Sequence, residues 1–253
     1  MSDENLTTIR DLLTQCSPDE QETLFRELRQ HYIIHEFERI IGAPAEMILE
    51  AVHRAPELTR RMLRGVIADA AFRTFVVPAV EVQGWRDVTP EGNFAFDYMM
   101  ENARGQISVQ VKLQRSQRGA PVVKDGARFG FLGEVFITET QKTRTGNDGE
   151  GEKTRPYRYG EFDVLAVSMQ PSTGRWDRYM YTLGRWLLPG KGDNEMATLQ
   201  PVAMTPNEFW TNDFATAATW FLADDDGKRM TMTAANKQGR RKNGADDEAP
   251  ELF

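Results

Sequence analysis

Apolar residues recur at helical spacing through the first third of the chain. Leu12, Leu13, Leu24, Phe25 and Leu28 lie on such stripes, and Ser17-Pro18-Asp19-Glu20 supplies a helix start between two of them. Gly42-Ala43-Pro44 breaks the pattern, with Pro44 placed to open a helix through Val52. After Pro56 a further stripe runs through Leu63, Val66, Ile67, Ala70, Ala71 and Phe75. Three or four helices are expected before the first strand. From about Val76 the pattern becomes strand-like. Phe94, Phe96 and Tyr98 alternate with Ala95, Asp97 and Met99; residues 101–105 supply a turn; Ile107, Val109, Val111 and Leu113 then alternate with Ser108, Gln110 and Lys112. These two runs predict a β-hairpin. More strands are expected near 133–138, 162–169 and 179–188, a mobile loop over 143–156 and a closing helix over 207–222. The polar tail, 224–253, is expected to be disordered. The order describes an α+β chain: a mixed central β-sheet flanked by helices over 58–223, behind a helical N-terminal region over 1–57.

Composition narrows the classes. A chain of 253 residues can bury a sizeable core without disulfides. Its one cysteine, Cys16, excludes an intramolecular disulfide and a multi-cysteine zinc site. No stretch of about 18 apolar residues occurs, and the first residues lack a basic-then-apolar leader, so a cytoplasmic protein with no membrane partner is expected. Net charge is −7, yet it is unevenly spread. Residues 104–191 hold 15 Lys/Arg against 9 Asp/Glu, a net of +6, so the remainder carries −13. A basic middle with acidic ends suits a nucleic-acid partner.

The hairpin brings chemistry together. Gln110 and Lys112 share one face of their strand, about 6.6–6.8 Å apart. Asp97 on the neighbouring strand can oppose them at about 4.5–5.5 Å if the register permits. A carboxylate, an amide oxygen and an ammonium group would then meet at the sheet rim. A hard cation such as Mg²⁺ takes oxygen ligands of this kind, lowers the pKa of its water and stabilises charge on phosphate oxygens. A lysine beside it can orient or deprotonate the attacking water. A half-solvated strand with Ser108, Gln110 and Lys112 outward is an equally ordinary arrangement.

Asp97, followed by Gln110-Val111-Lys112, resembles the signature of the PD-(D/E)xK nuclease superfamily, specifically its restriction endonucleases. The segment Arg64–Phe72 (RGVIADAAF) is similar to the helix that carries an acidic residue towards the metal there, with Asp69 in that place. Gln110–Ser116 and Tyr159–Val167 also resemble segments of such enzymes, and the likeness spans roughly residues 60–190. It departs twice: Phe96 stands at the proline of the motif's name, and Gln110 stands where a second acidic ligand is usual, which removes one negative charge. The resemblance implies a restriction-endonuclease-like core and Mg²⁺ held by Asp97, Gln110, Asp69 and the Val111 carbonyl, with Lys112 catalytic. It also implies sequence-specific cleavage of double-stranded DNA, a cognate DNA methyltransferase as functional partner, and a homodimer.

Arg104, Arg115, Arg118, Lys124 and Arg128 follow the hairpin closely and are candidate DNA contacts; a soluble surface would present the same groups. His31, His35 and His53 lie in the helical region, where packing or surface roles are expected, so histidine-dependent nuclease chemistry lacks raw material. Trp176, Trp186, Trp210 and Trp220 read as core. The Gly126–Gly133 segment lacks the Lys-Ser/Thr of a phosphate cradle, so an ATP-driven motor is not supported. Two alternatives stand beside the restriction enzyme: a structure-specific repair nuclease, and a catalytically silent DNA-binding protein on the same fold.

Overall fold

The computed structural model describes residues 3–142, 156–223 and 228–232. Most of the segment expected to form a mobile loop (143–155) and most of the expected tail lie outside these residues. The chain divides between Leu63 and Arg64 into two compact units, a few residues beyond the sequence-based boundary at 57.

The first unit is helical: α1 (Asp3–Gln15), α2 (Pro18–His31), α3 (Glu36–Ile41), α4 (Ala45–Arg54) and the start of α5 (Glu57–Ala71). Its helix starts are chemically specified. Ser17 and Glu20 form a reciprocal capping box on α2. The His35 ring caps α3, its Nδ1 accepting from the Phe37 N–H at 3.0 Å. Glu38 ties the α3–α4 connection, accepting from the N–H groups of Ile34, His35 and Ala45 at 2.6, 2.7 and 2.9 Å. Glu38 is the one buried side chain among the described residues of this unit. Sixteen large apolar side chains of the unit, from Leu6 to Met62, are at least 38% exposed.

In the second unit the helix does not yield to strand at Val76, as the pattern had implied. It passes through a π-helical turn, Phe72–Val76, into α6 (Val77–Glu81). The strands follow: β1 (Arg86–Asp87), β2 (Tyr98–Asn102), β3 (Gly105–Leu113), β4 (Ser116–Gln117), β5 (Ala120–Pro121), β6 (Val123–Asp125), β7 (Glu134–Glu139), β8 (Val164–Ser168), β9 (Tyr179–Leu183) and β10 (Leu199–Ala203). Short α7 (Gln170–Thr173) joins β8 to β9, and α8 (Phe214–Leu222) closes the unit, capped by Asp213. It is shorter than the predicted 207–222 helix.

The central sheet is mixed, in the order β1-β2-β3-β8-β9, with β3 and β8 parallel and the other pairs antiparallel. A second sheet, β10-β7-β6, is antiparallel, and β4–β5 forms a small hairpin. The α+β expectation with a mixed sheet and flanking helices holds.

Both faces of the central sheet are covered. Ile107, Val109 and Val111 pack with Phe72, Val76, Val80 and Phe214. On the other face, Leu165 and Val167 pack with Phe162, Trp210 and residues of the second sheet. A solvated polar face on β3 is therefore not what forms: Ser108 and Gln110 are only 7% and 3% exposed. Trp186 and Trp210 are core residues, as expected, while Trp176 is half-buried. Residues 228–232, assigned from sequence to the disordered tail, pack instead. Met230 is 1% exposed and its N–H donates to the Trp186 carbonyl at 2.8 Å.

Phe72 anchors this helix to the sheet: it is fully buried, with ring centroids 4.9 Å from Tyr98 and 5.4 Å from Tyr179. Phe72→Ala is expected to cost about 3–5 kcal/mol of unfolding free energy in urea titrations. A loss under about 1 kcal/mol would show that this face is not the core.

Candidate functional site

Strand register places the site. Tyr98 pairs with Val109, and the Asp97 N–H donates to the Val109 carbonyl at 2.9 Å, so Asp97 lies just outside β2, opposite Gln110. Asp97 is thus a strand-end residue rather than mid-strand, because residues 94–97 bend away. Phe96, the departure from the motif's proline, packs against the second core and stacks on Phe94 at 5.2 Å.

One carboxylate oxygen does most of the bonding. Asp97 Oδ2 accepts from the Val111 N–H at 2.7 Å and from Gln110 Nε2. Gln110 Nε2 also donates to the Val111 carbonyl at 3.1 Å. Two oxygens, Asp97 Oδ2 and Val111 O, therefore aim at a single N–H₂ group. The amide oxygen of Gln110 faces the other way and accepts from the Tyr157 hydroxyl at 3.0 Å. Lys112 Nζ donates to that hydroxyl at 3.2 Å and lies 5.1 Å from the ring centroid. The donors run in one direction, from Lys112 to Tyr157 to Gln110 to Asp97.

Asp69 sits one helical turn before the π-helical segment, a backbone variant frequent at functional sites. Two sheet tyrosines hold this turn: the Tyr98 hydroxyl donates to the Asp69 carbonyl at 3.0 Å, and that of Tyr179 to the Ala68 carbonyl at 2.8 Å. Asp69 acts electrostatically on both Asp97 and Lys112, so helix and hairpin contribute to one charged cluster.

Burial dominates the titration of this cluster. It raises Asp97 to about 6, against the lowering effects of the Val111 N–H and Lys112; the Asp69 charge adds to the rise. Burial also raises Asp69, against the Tyr98 hydroxyl, Arg73 and Lys112. It lowers Lys112, while the charges of Asp97, Glu139 and Asp69 oppose that. A carboxyl held above its ordinary range and a lysine held below it suit proton transfer near neutrality.

The structure thus brings together Asp97, Gln110, Val111, Lys112 and Asp69. The basic residues are dispersed. Arg104 is exposed in the β2–β3 turn, at the far end of β3, on the order of 20 Å along the strand from Gln110. Arg115 and Arg118 are exposed just beyond the other end of β3, on and beside the β4–β5 hairpin, near the charged cluster in sequence. Arg118 holds a positive φ of 51° in that turn. Lys124 and Arg128 belong to β6 and the following 3₁₀ turn. Glu161 bridges Lys142 at 2.5 Å, and Asp163 accepts from the Ser108 N–H and hydroxyl at 2.8 and 2.7 Å.

Tyr157 is the residue that sequence reasoning missed. It is 4% exposed and its ring lies edge-on to Phe162 at 5.3 Å. It reaches the site from 45 positions beyond Lys112, and no local spacing pattern announces it.

Asp97 Oδ2, the Val111 carbonyl, the Gln110 amide and Asp69 form an oxygen-rich set of the sort a hard cation takes. Among the described residues, no group of three or more His, Cys, Asp or Glu side chains could hold a metal ion. Any cation here would need the amide and the carbonyl as well as the carboxylates.

Comparison with known proteins finds no matching family model and no matching curated protein. Among solved structures, a bacterial homing endonuclease aligns with a TM-score of 0.36 and 17% identity, over 72% of this chain and 96% of that one. A likeness of that order leaves the chemistry of this chain to be read from its own residues.

The raised Asp97 fixes a pH signature. Folding favours its protonated form, so its contribution to stability is fully present below about pH 4 and is lost as pH rises through about 6. In metal-free buffer, Asp97→Asn should match the wild type near pH 4 and become the more stable by about 2–3 kcal/mol above pH 7. Urea unfolding at the two pH values checks this. A variant less stable at pH 8 would contradict the assignment.

Proposed function

We propose that this protein is a Mg²⁺-dependent endonuclease that hydrolyses phosphodiester bonds of double-stranded DNA, of the PD-(D/E)xK type and acting as a restriction enzyme. The observation that carries the reading is the convergence of Asp97 Oδ2 and the Val111 carbonyl on one point beside Lys112. Strand register produces it, and phosphodiester hydrolysis needs these group types together.

Asp97, the Val111 carbonyl, the Gln110 amide oxygen and Asp69 are the residues that would hold Mg²⁺. Bound there, the ion would acidify a water molecule and stabilise charge on a phosphate. Lys112 orients the attacking water and donates to a non-bridging phosphate oxygen, offsetting the charge that develops as the bond breaks. Burial lowers its pKa, which eases proton exchange with that water. Arg115 and Arg118 are the candidate groups nearest in sequence to take flanking phosphates, and phosphate contacts of this kind set position rather than sequence preference.

The reading includes a homodimer, which matches the two-fold symmetry of a duplex site. The first unit supports it. Its sixteen exposed apolar side chains offer apolar surface that a second copy of the chain could bury. Residues 1–63 carry 7 Arg against 12 Asp/Glu, an acidic surface unsuited to DNA. A cognate methyltransferase would protect host sites.

The silent DNA-binding alternative is favoured by one observation: the Gln110 amide already satisfies the two oxygens that a cation would need. The same assay separates the two. Purified protein with unmethylated phage-sized DNA and Mg²⁺ should give discrete fragments, lost in EDTA and lost at least 100-fold in rate in Lys112→Ala. A smear lost in both controls would keep the nuclease and remove site specificity. Intact DNA throughout, with Mn²⁺ also tried, would support the silent binder. Sedimentation should give twice the 28.8 kDa chain mass; a monomer at micromolar concentration would contradict the dimer.

A further inference from the structure

We propose that Tyr157 is a positioning residue that couples the orientation of the Gln110 amide to the placement of Lys112, and that it favours the orientation with the amide nitrogen towards Asp97 and the Val111 carbonyl. The inference rests on the reading of Asp97, Gln110 and Val111 as a cation site.

The atoms leave little freedom. Asp97 Oδ2 and the Val111 carbonyl are both acceptors, so in the free protein only the nitrogen of the Gln110 amide can face them. The amide oxygen must then face Tyr157, accepting from its hydroxyl at 3.0 Å. Lys112 completes the chain by donating to the same phenol oxygen at 3.2 Å. Both N–H groups of the Gln110 amide and the Tyr157 hydroxyl have acceptors. In this arrangement an N–H₂ group occupies the point where a cation's ligands converge.

Cation binding needs the opposite orientation, because the amide must present its oxygen beside Asp97. A half-turn about the last side-chain torsion of Gln110 exchanges the two ends. The amide nitrogen then donates to the Tyr157 oxygen, replacing one Gln–Tyr hydrogen bond with another. What is not replaced is an acceptor for the Tyr157 proton. That phenol is 4% exposed, and its oxygen would be approached by the Lys112 and Gln110 donors together. The crowding weakens the hold on Lys112 just when the site is loaded, freeing the ammonium group to turn towards a phosphate. An unmet buried hydroxyl costs about as much as a lost hydrogen bond, so the free state is favoured by that amount.

The consequence is opposite to that of a purely structural tyrosine. Tyr157→Phe removes the proton that loses its acceptor. It should therefore bind a divalent cation more tightly, by about three- to tenfold, while Lys112 loses its oxygen partner and cleavage at saturating cation falls about tenfold or more. Gln110→Glu should also bind more tightly, and adding Tyr157→Phe to it should bring no further tightening, since a carboxylate has no nitrogen end to turn.

Calorimetric titration of Mn²⁺ into the full-length wild type, both single variants and the double variant reads the coupling without relying on turnover. Matching thermal melts verify folding. Tighter binding in Tyr157→Phe, absent in the Gln110→Glu background, supports the proposal. Unchanged or weaker binding in Tyr157→Phe, with normal binding in the wild type, overturns it and leaves the nuclease reading intact. No Mn²⁺ binding in either the wild type or Gln110→Glu overturns the cation site itself.

Discussion

The structure depends on holding two carboxyl groups and a lysine partly out of water at one end of β3. Burial is the leading influence on Asp97, Asp69 and Lys112; the lysine charge opposes it at both carboxyls, and both carboxyls oppose it at the lysine. Such a cluster is costly to assemble unless every remaining polar atom finds a partner. The Val111 N–H and the Gln110 amide donate to Asp97 Oδ2, the Tyr157 hydroxyl donates to the Gln110 amide oxygen, and the Tyr98 hydroxyl donates to the backbone carbonyl of Asp69. Covering both faces of the sheet makes the burial possible. One face packs on the helix that carries Asp69, and the other lies under the core that holds Tyr157.

That constraint explains several local features. The helix before the sheet does not end at Ala71 but loosens into a π-turn, while Tyr98 and Tyr179 hold the preceding carbonyls. The chain enters strand geometry only at Tyr98, just after Asp97, which frees the Asp97 side chain to reach the Val111 N–H on β3. β3 pairs parallel with β8, and Asp163 fixes the start of that pairing through Ser108. With the register pinned at that point, Gln110 and Lys112 fall beside Leu165 and Val167, on the face where Tyr157 waits.

Much of this was legible in the sequence, for identifiable reasons. The turn residues and the alternation of Val109 and Val111 with Gln110 and Lys112 marked the hairpin and the shared face of Gln110 and Lys112, while the register that sets Asp97 opposite Gln110 came from the structure. β7 and β8 were also marked by their apolar runs. What was not legible depends on long-range packing. Alternation suggested a solvated polar face on β3, but an alternating pattern cannot reveal that a second sheet will cover it. The two-residue strands β1, β4 and β5 are too short to carry a period. Tyr157 meets Lys112 from 45 positions further along the chain, a contact that no local pattern encodes. Met230, in a stretch of polar composition, is held by a single apolar contact region and a backbone hydrogen bond to Trp186.

The central claim is that Asp97 and the Val111 carbonyl face a cation position next to Lys112. Anomalous diffraction from a crystal of the full chain grown with Mn²⁺ tests it most directly. The account predicts a peak about 2 Å from both Asp97 Oδ2 and the Val111 carbonyl, with the Gln110 amide oxygen turned towards it. Density showing the Gln110 nitrogen still bonded to both oxygens, with Mn²⁺ only on surface carboxylates, would contradict it.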